Sequence, residues 1–302
     1  MLPRCGRVSI PILPSSALAD RVLTLGGRHF DLSRPLLMGV VNLTPDSFSD
    51  GGRFEAPERA IAHARELVAA GADIIDLGAE STRPGAQPVT PEQELARLDP
   101  VVQGLRDLDV AISIDTRHAA TMQAMIATGA IHLINDVTAL HDDEALAAVA
   151  GSDVGVCLMH MQGDPLTMQQ RPVYASVLAE VSGFLQQAVA RARSAGVGAS
   201  RLLVDPGIGF GKTVAHNLEL LGGIATIAQD CQCPVLIGLS RKSMLGALTG
   251  RTVDGRLAAS LGGALAAAAR GAAVLRVHDV AQTRDALAVY SAIMSGKAIT
   301  FA

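Results

Sequence analysis

The chain has 302 residues, 49% of them hydrophobic and only 18% charged, with a formal net charge of -4. That length allows one large domain with a sizeable core, and the slightly acidic balance argues against a nucleic-acid partner, whose phosphates call for a basic face. The four cysteines, Cys5, Cys157, Cys231 and Cys233, contain no C-x-x-C pair, so reduced thiols in a cytoplasmic protein are expected, and the longest apolar run, 257–269, is too short to cross a membrane.

Residues 1–20 carry Arg4 and Arg7 beside a short apolar patch that Pro11 and Pro14 break. They read as a mobile tail rather than a secretion signal, ahead of a single domain over 21–302. "RVLTLGGRHFDL" (21–32) sets a Gly-Gly turn between two apolar runs and predicts a β-hairpin. Aliphatic runs then alternate with alanine-rich stretches of helical spacing: "LLMGVVN" (36–42), "ADIIDLGA" (72–79), "VAISIDT" (110–116), "HLINDVT" (132–138), "VGVCLMH" (154–160), "LLVDPG" (202–207), "CPVLIGLS" (233–240) and "AVLRVHD" (273–279). Gly71, Gly129, Gly196 and Gly271 stand where helices should end. Eight such units over about 250 residues predict an α/β fold of the (β/α)8 TIM-barrel type, with the N-terminal hairpin covering the barrel floor.

Polar residues recur at the strand ends: Asn42, Glu80, Asp115, Asn135, His160, Asp205, Ser240, and Arg276 with His278. A single one can be a helix cap, but eight strands ending this way predict a shared pocket, because barrel active sites lie at the C-terminal strand ends. Arg276 and His278 are two apart, so they share a face and form a cationic spot suited to phosphate oxygens, with the arginine plane also able to stack on a flat ring. Met159 and Met161 stand beside the pocket, where a soft side chain suits a flat ring. Lys242 could donate to a heterocycle or form a Schiff base; Arg241 alongside it argues against the second, which needs an apolar surround.

The stretch "VDPGIGFGKT" (204–213) looks like a phosphate loop, but that loop needs G-x-x-x-x-G-K-[ST], and Pro206 falls on its first position. Proline brings neither the glycine's freedom nor an N–H. Asp205 reads instead as an acceptor for the N–H edge of a heterocycle, beside small residues that let a flat ligand come close.

"GVVNLTPDSFSDGG", "GAESTRPGA", "SIDTR", "INDV", "LMHMQG", "DPGIGFGK", "GLSRKSMLG" and "LRVHDV" follow one another at successive strand ends. Together they resemble the dihydropteroate synthase family over residues 36–296; "NLTPDSFSDGG" and "ESTRPGA" are its specific parts. The resemblance implies a folate-pathway transferase that condenses 6-hydroxymethyl-7,8-dihydropterin diphosphate with p-aminobenzoate, using Mg2+, and a homodimer. It implies that Asp115, Asn135, Asp205 and Lys242 hold the pterin, with Met159 and Arg276 beside it. Asn42 would bind metal and diphosphate, with Thr82, Arg276 and His278 completing the anion site. Thr82, Arg83, Pro84, Phe210, Lys242 and Ser243 would line the p-aminobenzoate pocket, under loops 43–54 and 80–90. Ala79 and Ile208 depart from the family's commoner residues without removing a functional group. Two alternatives are a pterin-binding methyltransferase of the methionine-synthase kind and a barrel that binds pterin without turnover. The first needs no diphosphate site and the second no Asn42, Lys242, Arg276 and His278 together.

Overall fold

The computed structural model of the chain describes residues 22–44, 55–80, 88–163, 167–169 and 172–295. The tail over 1–20 lies outside the described residues. An antiparallel hairpin, β1 (Val22–Leu25) and β2 (Arg28–Asp31), precedes eight parallel strands: β3 (Leu36–Asn42), β4 (Ile74–Gly78), β5 (Ala111–Asp115), β6 (Leu133–Asp136), β7 (Gly155–Met159), β8 (Leu202–Asp205), β9 (Leu236–Ile237) and β10 (Val274–Val277). Their order is β8-β7-β6-β5-β4-β3-β10-β9, and a parallel bridge from Val204 to Val235 joins the two ends. The sheet is therefore the closed barrel that the alternating pattern predicts.

β9 is much shorter than its aliphatic run. Pro234 has no N–H to donate, so the chain meets its neighbours there through carbonyls: Val204 N donates to Pro234 O at 3.0 Å and Ala273 N to Val235 O at 2.8 Å.

Helices fill each crossover: α1 (Glu55–Ala69), α2 (Pro91–Gly104), α3 (Ala119–Ala127), α4 (Asp143–Ala150), α5 (Val177–Ser194), α6 (Val214–Gly222), α7 (Ile224–Cys231), α8 (Ser243–Thr249), α9 (Leu257–Ala269) and α10 (Val280–Ser295). Thr90 starts α2 with a reciprocal capping box to Gln93 and Pro91 in the first turn, each answering an N–H that the helix leaves open. Gly71, Gly129, Gly196 and Gly271 all carry positive φ, as expected of residues that end helices.

Two apolar layers follow from the alternation of side chains along each strand. Outward residues pack with the helices. Inward residues near the strand starts, among them Met38, Ile74, Leu133 and Leu203, pack with Leu23 and Leu25 of the hairpin, both fully buried. The hairpin closes the floor as predicted: Gly26 N donates to Asp153 O at 3.2 Å, and Arg28 Nε to His132 Nε2 at 3.1 Å. Beyond this apolar plug the inward positions turn largely polar, beginning with the buried Asp76 and Ser113.

Candidate active site

The strand register sets polar side chains at adjoining levels. Asn42 pairs with Gly78, Gly78 with Asp115, and Asp115 with Asn135, while Met159 pairs with Asp205. These positions alternate in phase with the inward apolar residues below them, so their side chains enter the barrel mouth. The eighth strand adds Arg276, whose Nε donates to Asp76 Oδ2 at 2.6 Å and whose Nη2 donates to Asp115 Oδ2 at 2.8 Å.

Asp76 is 0% exposed and also accepts from Ser113 Oγ at 2.6 Å, with Asn135 Nδ2 at 3.5 Å from its other oxygen. A carboxylate so deep must be compensated by charge and hydrogen bonds, and Arg276 supplies the charge. Burial works against the Arg276 cation, but Asp76 and Asp115 outweigh it and hold its pKa above the usual guanidinium value. Asp115 is pushed up to about 7, chiefly by burial, opposed by Arg276 and reinforced by Asp76. One edge of the guanidinium is thus spent on two carboxylates. Among the described residues no hydrogen bond engages its Nη1.

Asp205, 6% exposed, fixes one oxygen by accepting from Gly207 N at 2.7 Å. Its other oxygen has no hydrogen bond among the described residues. Burial raises its pKa, opposed by Lys242, the Gly207 N–H, Lys212 and Arg276. Lys242 donates its amine to Ile208 O and rests 4.6 Å from the centroid of the Phe210 ring. Burial lowers the Lys242 pKa to about 8 against the pull of Asp205. Arg241 does not crowd that amine, contrary to the expectation from the sequence: it turns outward to Asp279, 2.5 Å away. Asp279 is thereby engaged, and Arg276 faces Asp76 and Asp115 instead. The His278 backbone N–H donates to Ser240 Oγ at 3.3 Å, with its ring Nδ1 at 3.1 Å from the same oxygen.

The glycine run 207–211 serves contact between loops. A Cβ at Gly207, where φ is +68°, would stand 1.9 Å from His160 O, so only glycine lets the β8 loop lie on the end of β7. Lys212 turns inward and is 3% exposed, while Thr213 caps α6 by accepting from His216 N at 3.2 Å. Gly207→Ala should lower stability by about 3 kcal/mol, since a left-handed residue and a backbone clash are forced together. Urea unfolding measures it, and an unshifted midpoint would contradict the close approach.

Of the residues singled out from sequence, the fold brings Asn42, Asp115, Asn135, Met159, Asp205, Phe210, Lys242, Arg276 and His278 to one end of the barrel, with Ser243 opening α8 beside Lys242. Thr82, Arg83 and Pro84 lie outside the described residues, as do 45–54 of the first loop. Glu80 is engaged elsewhere, accepting from Arg117 Nη2 at 2.9 Å and Nε at 3.1 Å. His160 does not face a ligand alone: its Nδ1 meets Lys212 Nζ at 2.9 Å. Asp76 was missed. The signal was a lone carboxylate inside the aliphatic run "IIDLG", two residues before the strand's last inward position.

The family profile described as "Pterin binding enzyme" matches residues 38–278. The dihydropteroate synthase of Neisseria meningitidis serogroup C is 46% identical over 279 residues, covering 91% of this chain and 99% of that protein. Among solved structures, Xanthomonas albilineans dihydropteroate synthase with 4-aminobenzoic acid superposes with a TM-score of 0.85 at 46% identity, over 91% of this chain and 98% of the other. The Burkholderia cenocepacia enzyme complexed with 7,8-dihydropteroate gives 0.82 at 43% identity, over 91% and 97%.

Proposed function

We propose a division of roles within the mouth of a chain that belongs to the pterin-binding enzyme family and, within it, to the dihydropteroate synthases. The enzyme is a transferase that condenses 6-hydroxymethyl-7,8-dihydropterin diphosphate with p-aminobenzoate, giving 7,8-dihydropteroate and pyrophosphate. The observation that carries the roles is the pair of inward carboxylates, Asp115 and Asp205, flanked by Arg276 and Lys242. A pterin presents N–H donors along one edge and carbonyl and ring-nitrogen acceptors along another. Asp205 and Asp115 accept from the first, Lys242 and Asn135 meet the second, and the Arg276 face stacks on the ring with Met159 nearby.

The diphosphate is assigned to Asn42, Arg276 and His278 with Thr82, and p-aminobenzoate to Phe210, Lys242 and Ser243 with Thr82, Arg83 and Pro84; these last three are outside the described residues and are assigned by family resemblance alone. Among the described residues no cluster of His, Cys, Asp and Glu could hold a metal by itself, and no described partner takes the Asn42 amide. That donor set suits a Mg2+ that arrives on the substrate, because this ion keeps waters and phosphate oxygens and needs few protein ligands. Held by Asn42, Mg2+ would neutralise charge on the diphosphate.

Cleavage of the methylene C–O bond sends its electron pair to the diphosphate and leaves positive charge on a carbon conjugated with the pterin. Arg276 and His278 stabilise the departing oxygens; Asp115 and Asp205 stabilise the cation through the ring. The p-aminobenzoate nitrogen then bonds to that carbon and releases a proton. This order, dissociation before attack, predicts scrambling of bridging oxygen label in the diphosphate without p-aminobenzoate. Complete inversion at a chirally labelled methylene would count against it. Pyrophosphate release from the pterin diphosphate, measured with and without p-aminobenzoate, tests the reaction itself. Release only with the amine present is the expected net turnover, and none with either would refute it.

Ser243 is exposed at the first turn of α8. Ser243→Ala should raise the KM for p-aminobenzoate roughly 2–10-fold, the loss of one hydrogen bond, while the pterin Kd holds. A shift in the pterin Kd instead would remove Ser243 from that pocket. A homodimer fits the apolar side chains that α10 exposes, Val289 at 57% and Ile293 at 72%. A cytoplasmic location fits the buried thiols of Cys157 and Cys231, which form no disulfide among the described residues.

A further inference from the structure

We propose that Lys212 is a positioning residue for the pterin: a buried ammonium that ties the β8 loop to the end of β7 and so fixes Asp205 and Phe210 for the ligand. The inference rests on the assignment of Asp205 and Lys242 to the pterin.

Lys212 reaches no solvent through which it could touch substrate; it is 3% exposed. Its three N–H bonds have three acceptors, which is the full capacity of an ammonium: Phe210 O at 2.9 Å, His160 Nδ1 at 2.9 Å and His160 O at 3.3 Å. Phe210 belongs to the β8 loop and His160 follows β7, so one side chain holds two walls of the pocket. With Lys212 protonated, the bond to Nδ1 places the His160 proton on Nε2. Burial and the neighbouring ammonium keep that imidazole neutral, its pKa lowered to about 3.

The contacts around Lys212 lead directly to ligand-facing groups. Gly207, whose missing Cβ would lie 3.4 Å from Lys212 Nζ, donates the N–H that orients Asp205. Phe210, whose carbonyl Lys212 holds, carries Lys242 over its ring. Lys212 is also one of the positive charges that favour the Asp205 anion. Desolvation opposes the arrangement, lowering the Lys212 pKa to about 7, with Asp205 pulling it up and Lys242 pushing it down. An apolar side chain of similar length would fill the space without that desolvation. What the lysine adds is the fixed place of two loops and a charge behind Asp205.

The test uses the full chain with Lys212→Met, His160→Leu and Asp205→Asn. Binding of oxidised 6-hydroxymethylpterin is followed by its fluorescence, beside Tm and the steady-state constants for the pterin diphosphate. Lys212→Met should raise the pterin Kd at least tenfold and lower kcat/KM for the pterin diphosphate in parallel, while kcat at saturation stays within about threefold. His160→Leu, which removes one acceptor of three, should raise Kd at least threefold. A merely structural lysine would lower Tm and leave the Kd of the folded protein alone. A Kd within threefold of wild type in Lys212→Met overturns the proposal, and the same holds for an unchanged Kd in His160→Leu should the first variant not fold. Asp205→Asn separates the two levels of the argument. If it too leaves Kd unchanged, the pterin assignment of Asp205 fails; if only the Lys212 and His160 variants do, that assignment stands and the positioning role falls.

Discussion

Replacing Arg276 by methionine is expected to cost about 3–5 kcal/mol of stability, the loss seen when one partner of a buried ion pair is removed, and about 10²–10³-fold in turnover, as for removal of a donor to a developing anion. The reason lies beneath the pocket. Asp76 is fully buried and relies on Arg276 Nε at 2.6 Å for its countercharge, and Asp115 takes Nη2 at 2.8 Å. Methionine fills the volume but removes the countercharge of both carboxylates, and leaves the buried Asp76 with Ser113 and Asn135 as its donors among the described residues. The pH dependence has a definite sign. Asp115 already has a folded pKa raised to about 7, above its ordinary value of 3.8. A raised acid binds protons more tightly in the folded state, so its contribution falls as pH rises between those two values. Without Arg276 that window extends upward and the neutral-pH penalty grows. The Tm deficit of the variant should therefore be large at pH 8 and shrink at pH 5.5. An equal deficit at both would mean that lost packing, rather than unneutralised charge, destabilises the variant. Arg276→Lys retains a cation without the fork, and should recover part of the stability but little of the turnover.

The barrel was legible because its signal is repeated: eight aliphatic runs, each followed by a helix and a polar residue, leave little choice of topology. The hairpin was legible from one Gly-Gly turn. Strand lengths were not, since Pro234 shortens β9 by a hydrogen-bond deficit that hydrophobic patterning does not register. Within the site, residues at strand ends announce themselves because nothing in a core calls for them there. Asp76 does not, because it sits one inward layer deeper, in a run otherwise indistinguishable from core. Its partner is 200 residues away along the chain, and sequence spacing carries no trace of that pairing. The "GKT" in 211–213 shows the opposite failure: a string that suggests phosphate binding divides into a glycine of positive φ, a lysine turned into the protein and a helix cap.

Asp76 and Arg276 also change the meaning of the arginine. From sequence alone it is a cation for diphosphate whose plane can also stack on a flat ring. In the fold its Nε and Nη2 brace the barrel's upper interior, and the role proposed for it toward the ligand falls to the remaining face and corner. A residue so held does not reorganise when charge develops beside it, which is where preorganised electrostatics gains over water. The same logic joins Lys242, resting on Phe210, to Asp205, oriented by Gly207.

Asp205→Asn is expected to weaken pterin binding by at least about 100-fold while leaving Tm unchanged or raised. The orientation of the new amide follows from its neighbour. Gly207 N donates to Asp205 Oδ1 at 2.7 Å, and an asparagine must keep its oxygen there, because turning the amide would set two donors against each other. The NH2 group is then left at the position of the second oxygen, where the proposed assignment puts the N–H edge of the pterin. One charge-assisted bond is lost, roughly 1.5–3 kcal/mol, and an unsatisfied buried donor adds roughly 1–3 kcal/mol more; the lower end of that sum is already close to 100-fold. Stability moves the other way. Burial raises the Asp205 pKa, so the ionised group is a burden on the folded state above its unfolded pKa, and a neutral amide removes that burden. The loss of a countercharge for Lys242 and Lys212 offsets the gain, since Asp205 raises the pKa of both. Calorimetric titration with pterin and thermal unfolding of the same preparation read the two effects separately. A variant that binds pterin as wild type does would show that the edge is recognised elsewhere. A variant that loses affinity only in proportion to its unfolded fraction would make Asp205 a structural carboxylate, and the pocket would have to be rebuilt around Asp115 alone.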